Sequence, residues 1–305
     1  MKKKTARSIG EISDIVSQAR AEWKLRQEEE IWFRGEDAKY LSSTLQPKLY
    51  RHLPSKLDIV SNSILKAELH MHSEFSRCGT QLYDHDDVDD WDWYFLMQHH
   101  GAPARLLDWS DGSLMGVHFA VRESKEDSKG ANVYVIDPYR LVNEIDKLPE
   151  IHQLKSAWKS YRERQKKRDQ TWPREWDNVY IPGMHSLSNR IEQSTTPKDT
   201  KSHKPKLPNA PMVLEFPQIT RRVAAQRSRF MVYGSDKNWL TRWAQKDSSR
   251  IWCIFIPKSR IPTIRVQLRD AGVTESVIFP DLDGLGREQN QLWDTLKGNR
   301  RFLSK

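Results

Sequence analysis

The segment Ile31-Trp-Phe-Arg-Gly35 constrains this chain more than any other stretch. It is short, apolar and aromatic and it ends at glycine, which predicts a buried strand. It nevertheless carries a guanidinium at Arg34. An unpaired buried charge costs several kcal/mol, so Arg34 needs an anionic mate. That mate is either an internal carboxylate such as Asp108 or a bound phosphate, which the planar fork of arginine also suits. Gly35, lacking a side chain, would let a ligand approach the backbone closely.

A strand of this kind needs a core. Only 37% of the residues are hydrophobic, but the chain has twelve Trp, nine Phe and nine Tyr. Each aromatic ring buries a large area, so few residues suffice. Cys78 and Cys253 lie far apart, which argues against a disulfide framework and against a cysteine-rich zinc site. His70 and His72 point to different helix faces, and His99 and His100 are adjacent, so no metal site is expected. The N-terminal Met1-Lys-Lys-Lys-Thr5 is basic, but no apolar stretch follows it as in a secretory signal. No run is long enough to span a bilayer. The expected location is the cytoplasm, with no membrane partner. The net charge of +9 favours contact with phosphates or simply keeps the surface solvated.

The order of elements then follows from periodicity. Ser8-Ile-Gly-Glu11 fits a capping box, and Ile9, Ile12, Val16, Ala19 and Trp23 recur at helical spacing, predicting a helix over about 8–29. Further helices are expected over 57–75, 91–100, 112–122, 239–245, 261–271 and 282–296. Strands are expected at 31–35, 105–109, 133–136, 213–216, 229–233 and 251–256. Strands and helices mix without a steady βαβ rhythm. The predicted class is α+β, with mixed or antiparallel sheets around a central cleft and flanking helices. The domain plan is an N-terminal helix over 1–30, a domain over 31–285 and a C-terminal helix and tail over 286–305. Within the domain, about 154–208 reads as a basic, partly flexible insertion, because Lys, Arg, Ser, Thr and Pro dominate it.

Common catalytic signatures are missing: no phosphate loop, no dinucleotide glycine fingerprint and no nucleophile elbow occurs. What stands out instead is Gln98-His-His-Gly-Ala-Pro-Ala-Arg-Leu-Leu-Asp-Trp-Ser110. Gln98, His99, Arg105, Asp108 and Ser110 crowd polar groups among Leu106, Leu107 and Trp109. Buried polar groups must be hydrogen-bonded, so the run either braces the fold or lines a cleft.

These residues carry a family resemblance. Trp32-Phe-Arg-Gly35, Leu45-Gln-Pro-Lys-Leu-Tyr-Arg51, the Gln98–Ser110 run and Met115-Gly-Val-His-Phe-Ala120 resemble successive elements of the FRG domain. So do Arg222-Val-Ala-Ala-Gln226 with Phe230, and Val277 to Leu285. Ala104 and Ser110 stand where the family pattern has threonine, and Ser228 where it has glycine. The order of elements is also similar to that of ADP-ribosyltransferases, in which an arginine holds the phosphates of NAD and a late acid stabilises an oxocarbenium-like transition state. That similarity implies NAD as cofactor and an effector of the toxin or defence kind that modifies a protein or nucleic acid. It implies Arg34, Gly35, Gln98, His99 and Arg105 as nucleotide-binding residues. The catalytic set would be Arg34, Asp108 and Ser110, with Gln226 in place of the late acid. A neutral amide stabilises positive charge less well than a carboxylate, so Glu36 and Glu275 are alternative acids. A reading from another class is a non-catalytic nucleic-acid adaptor. Lys159, Arg162, Lys166 and Arg168, interleaved with Trp158 and Tyr161, would track a phosphate backbone while the rings stack on bases.

Overall fold

A computed structural model describes residues 1–38, 44–51, 53–54, 62–83, 90–122, 128–151, 208–214, 220–247 and 250–297. The basic segment at 154–208, with Lys159, Arg162, Lys166 and Arg168, lies outside the described residues except for its last position.

The first helix forms as the spacing requires. Strand β1 (Lys2–Thr5) leads into α1 (Ile9–Trp23). The Ser8 hydroxyl accepts the Glu11 N–H at 3.2 Å, satisfying one orphan donor of the first turn. Ile12, Ile15 and Ala19 are buried, and the helix stops at Lys24, whose φ of 55° is left-handed. It therefore ends well short of residue 29. Arg20 holds the returning loop by donating to the carbonyls of Arg26 and Glu29 at 2.8 and 2.9 Å.

The chain continues through β2 (Trp32–Asp37), α2 (Lys48–Arg51), α3 (Asn62–Gly79), α4 (Asp90–His99), β3 (Leu106–Ser110) and α5 (Ser113–Arg122). Then come β4 (Gly130–Ile136), α6 (Pro138–Asp146), β5 (Met212–Leu214), α7 (Arg221–Ala225), β6 (Ser228–Val232), α8 (Trp239–Lys246) and β7 (Ile251–Pro257). A single 3-10 turn precedes α9 (Ile261–Asp270), α10 (Glu275–Ile278) and α11 (Leu282–Lys297). The strands form one sheet in the order β1-β7-β4-β2-β3-β6-β5. Among the described residues, only the β1–β7 pair is parallel and every other pair is antiparallel. The α+β class with a mixed sheet flanked by helices is therefore what the chain adopts. Among the described residues, no helix is long and apolar enough to cross a membrane.

Register assigns the side chains to faces, because paired residues point the same way and neighbours alternate. Phe33, Val133, Val135, Ile254 and Ile256 lie on one face under α1, α5 and α9. Farther along the same face, Leu106, Phe230, Val232 and Met212 pack against Tyr94, Phe95 and Met97 of α4. The opposite face carries Trp32, Leu107, Trp109, Tyr134, Ile136 and Met231 under α6 and α8.

Strand β1 and helix α6 escape the periodicity reading, as do the short helices α2, α7 and α10. Strand β1 is Lys-Lys-Lys-Thr, yet Lys2 lies over the Trp252 ring at 4.2 Å and pairs with Glu22 at 2.5 Å, so its stem covers apolar surface while its charge stays wet. Helix α6 starts where Asp137-Pro138 reads as a strand boundary. Asp137 is its N-cap, accepting the Arg140 N–H at 3.0 Å, and Pro138 occupies the first turn, where its missing N–H is no loss.

Candidate functional site

Strands β2 and β3 pair at one position only, Phe33 with Ser110. Beyond it the two strands part, and Arg34 spans the opening. Its Nη1 donates to the carbonyl of Asp108 at 2.6 Å and its Nε donates to Glu36 at 2.7 Å. Nη2 has no partner among the described residues. The side chain is 13% exposed, so it is neither sealed nor free.

Glu36 is the hub beneath it. Besides Arg34 it accepts from Arg51 at 3.0 Å, from the Thr44 hydroxyl at 3.0 Å and from the Leu45 N–H at 3.2 Å. Its side chain is only 2% exposed. Arg34 and Glu36 share a strand face because they are two residues apart, so the internal mate that Arg34 requires comes from its own strand and from a backbone carbonyl. The carboxyl of Asp108 is not that mate. By register Asp108 belongs to the other face, with Leu106 and Phe230.

There Asp108 accepts from the Gln98 amide through both oxygens, at 2.7 and 2.6 Å. It is the one partly exposed residue of β3. Burial raises its pKa, opposed by Arg34, by the Gln98 hydrogen bond and by Arg51 and Arg222. Three guanidiniums thus act on one carboxylate at the parting of the strands.

His99 follows Gln98 at the end of α4. Burial, the Arg222 guanidinium and His100 pull it down to about 4, with Asp281 opposing. Because its pKa is lowered on folding, the unfolded chain binds the extra proton between about pH 6.5 and 4, and stability falls as acid is added through that window. Acid titration of the wild type against His99→Gln is expected to show a steeper loss in the wild type, by up to about 3 kcal/mol between those limits. Parallel curves in chemical denaturation would remove this assignment.

Other expected site residues take structural places. Gly35 faces α5, not a ligand: a Cβ there would lie 2.1 Å from the Gly116 carbonyl and 2.2 Å from the Ala120 N. Arg105 is sealed at 2% exposure, its Nε 2.6 Å from Glu68, whose own side chain is fully buried. The Ser110 hydroxyl donates to the Gly112 carbonyl at 2.9 Å and accepts its N–H, so it closes the turn into α5. The Gln226 amide lies 3.5 Å from the Ile278 carbonyl, near the end of α10. Glu275 accepts from Arg122 at 2.6 Å and Arg287 at 3.0 Å; burial alone would raise it, but these donors and His118 take it down to about 2.

The geometry therefore brings together Arg34, Gln98, His99 and Asp108, and adds Arg51 and Arg222. Arg222 opens the quoted run that ends at Gln226, but nothing in the sequence marks it as a site residue. A separate depression of about 330 Å³, lined by Val16, Glu30, Phe33, Asp111 and Arg227 among others, contains none of the expected residues.

Residues 29–129 match the family model described as FRG domain. The quoted runs at 222–230 and 277–285 lie outside the matched segment. No curated protein matches the chain, and no solved structure does.

Proposed function

Starting from a chain that belongs to the FRG-domain family through its residues 29–129, we propose that it binds an NAD-type nucleotide where β2 and β3 part and transfers ADP-ribose to a macromolecule. The observation that carries the reading is the parting of the two strands directly after Phe33–Ser110, with Arg34 on one side and the partly exposed Asp108 on the other. Arg34 offers Nη2 to the phosphates. Gln98 orients the Asp108 carboxylate, and the neutral His99 supplies a hydrogen bond without adding charge.

In the transfer, the bond between the ribose carbon and the nicotinamide nitrogen breaks and its electron pair leaves with neutral nicotinamide. Positive charge develops on the ribose, and a nucleophile of the target closes the new bond and releases its proton. Asp108 is the acid available to stabilise that charge. Glu36 is committed to four donors, Glu275 to two arginines, and Gln226 is neutral.

The test is NAD binding by calorimetry together with nicotinamide release, in wild type and Asp108→Asn. Because burial raises the Asp108 pKa, its stabilising effect belongs to low pH and is lost as pH rises through the folded value. At neutral pH the ionised form is a cost, so Asp108→Asn is expected to melt at or above the wild-type temperature. Nicotinamide release should fall by about 100-fold, the scale of losing one electrostatic stabiliser. A wild type that neither binds nor consumes NAD would end the reading.

A further inference from the structure

We infer that Arg222 is the centre of a further anion site, built for a phosphoryl group, which borders the proposed nucleotide site at His99 but does not depend on Arg34. Three guanidiniums surround the buried Phe279 ring, with Arg122 and Arg222 at 4.4 Å and Arg287 at 4.7 Å from its centroid. The phenyl face helps each cation, but it cannot cancel three like charges. Glu275 bonds two of them, Arg122 and Arg287. Arg222 is in no ion pair among the described residues, and its Nε is buried with no hydrogen-bond partner. Asp281 and Asp108 act on it electrostatically, but Asp281 already accepts the Gly284 N–H at 2.7 Å at the start of α11 and Asp108 accepts from Gln98. A buried donor left unmade costs about 1–3 kcal/mol, more on a charged group, so it calls for an explanation.

The chemistry of the surroundings selects the ligand. The Arg222 guanidinium lies 4.4 Å from the Phe279 centroid, and its planar fork matches the paired oxygens of a phosphoryl group. His99, near enough for Arg222 to depress its protonation, is neutral and can donate to one more oxygen. A carboxylate ligand would use two oxygens and leave the third donor idle; a tetrahedral oxyanion engages all three. Free diphosphate and the diphosphate of a nucleotide share this chemistry.

The experiment titrates inorganic pyrophosphate, inorganic phosphate and ADP into the full chain by calorimetry, at constant ionic strength set with sodium chloride. The variants are Arg222→Gln, Arg222→Lys and Arg34→Gln. Saturable pyrophosphate binding is expected in the wild type and in Arg34→Gln, weakened at least 10-fold in Arg222→Gln. Tighter ADP than pyrophosphate assigns the site to a nucleotide, and the reverse assigns it to the free anion. Since Arg222 has no carboxylate to lose, Arg222→Gln is expected to melt within about 2 °C of wild type, a shift below 1 kcal/mol for a chain of this size. Should it fail to fold, Arg222→Lys keeps the charge without the fork and is expected to bind several-fold more weakly. No saturable binding in the wild type, or wild-type affinity in both Arg222 variants, overturns the site. Because none of these readouts involves NAD turnover, failure here and failure of the transferase reading are told apart.

Discussion

Gly35→Ala is expected to lower the melting temperature by roughly 6–12 °C, corresponding to about 3 kcal/mol or more. The reason is a backbone-to-backbone contact. Helix α5 lies directly on β2, and the atoms that a new methyl group would meet are the Gly116 carbonyl oxygen at 2.1 Å, the Ala120 N at 2.2 Å and the Ala120 Cα at 2.8 Å. None of these is the end of a flexible side chain, so relief requires α5 to lift off the sheet. Lifting α5 exposes Val117, Ala120 and Val121, which belong to the core under α1 and α9. Gly116 makes the reciprocal contact, with Phe33 Cβ at 2.7 Å from its own added Cβ. Gly286→Ala is the matched control, an exposed helical glycine with nothing within 4 Å, and it should stabilise by about 0.5–1 kcal/mol. A Gly35→Ala melt within 2 °C of wild type would show that α5 can shift at little cost and that the glycine serves something else.

That contact marks the boundary of what the residues disclose before folding. The apolar runs at 31–35, 105–109 and 251–256 announce strands because burial on both faces demands continuous apolar residues. Most helices declare themselves by their stripes. Strand β1 does not, because three lysines carry no local sign of the ladder they form with β7, some 250 positions away in sequence, and because snorkelling hides the apolar use of their stems. At the candidate site, the need of Arg34 for a mate was legible from the aromatic strand around it. Its source was also within reach, since Glu36 is two residues on and a strand repeats every two. Asp108, the internal mate first considered, offers its carbonyl instead, because the register turns its carboxyl to the other face. The Gln98–Asp108 pair follows from the density of polar groups in one run. The place of Arg105 does not, because its partner sits 37 positions earlier on a helix with no unusual pattern.

Glu68→Gln is expected to cost about 3–5 kcal/mol, the scale for leaving one member of a buried ion pair without its counter-charge. Arg105 Nε lies 2.6 Å from Glu68 Oε2, while Glu68 Oε1 accepts the Arg105 N–H at 2.8 Å and the Tyr94 hydroxyl. Burial works against the Arg105 charge, yet Glu68 outweighs it and holds the guanidinium protonated well above its usual range. Arg105 Nη1 also reaches the Tyr233 carbonyl at 3.3 Å, tying the start of β3 to the residue that follows β6. Removing both charges together is a different experiment. Glu68→Met with Arg105→Met restores apolar packing and leaves the residue 105 N–H its second acceptor, the Tyr94 hydroxyl at 3.1 Å, while that hydroxyl loses Glu68 as acceptor for its own proton. Adding Tyr94→Phe deletes that acceptor as well, so the triple variant should lose about 1–3 kcal/mol more for the backbone donor. If Arg105 instead held a ligand, Glu68→Gln would free its guanidinium and change nucleotide affinity while sparing the fold. The measurement is therefore a pair: urea midpoints for the single, double and triple variants, and NAD and pyrophosphate affinity for whichever remain folded. A single variant that loses under 1 kcal/mol but shifts affinity would return Arg105 to the binding site, because a sealed brace can only act through stability.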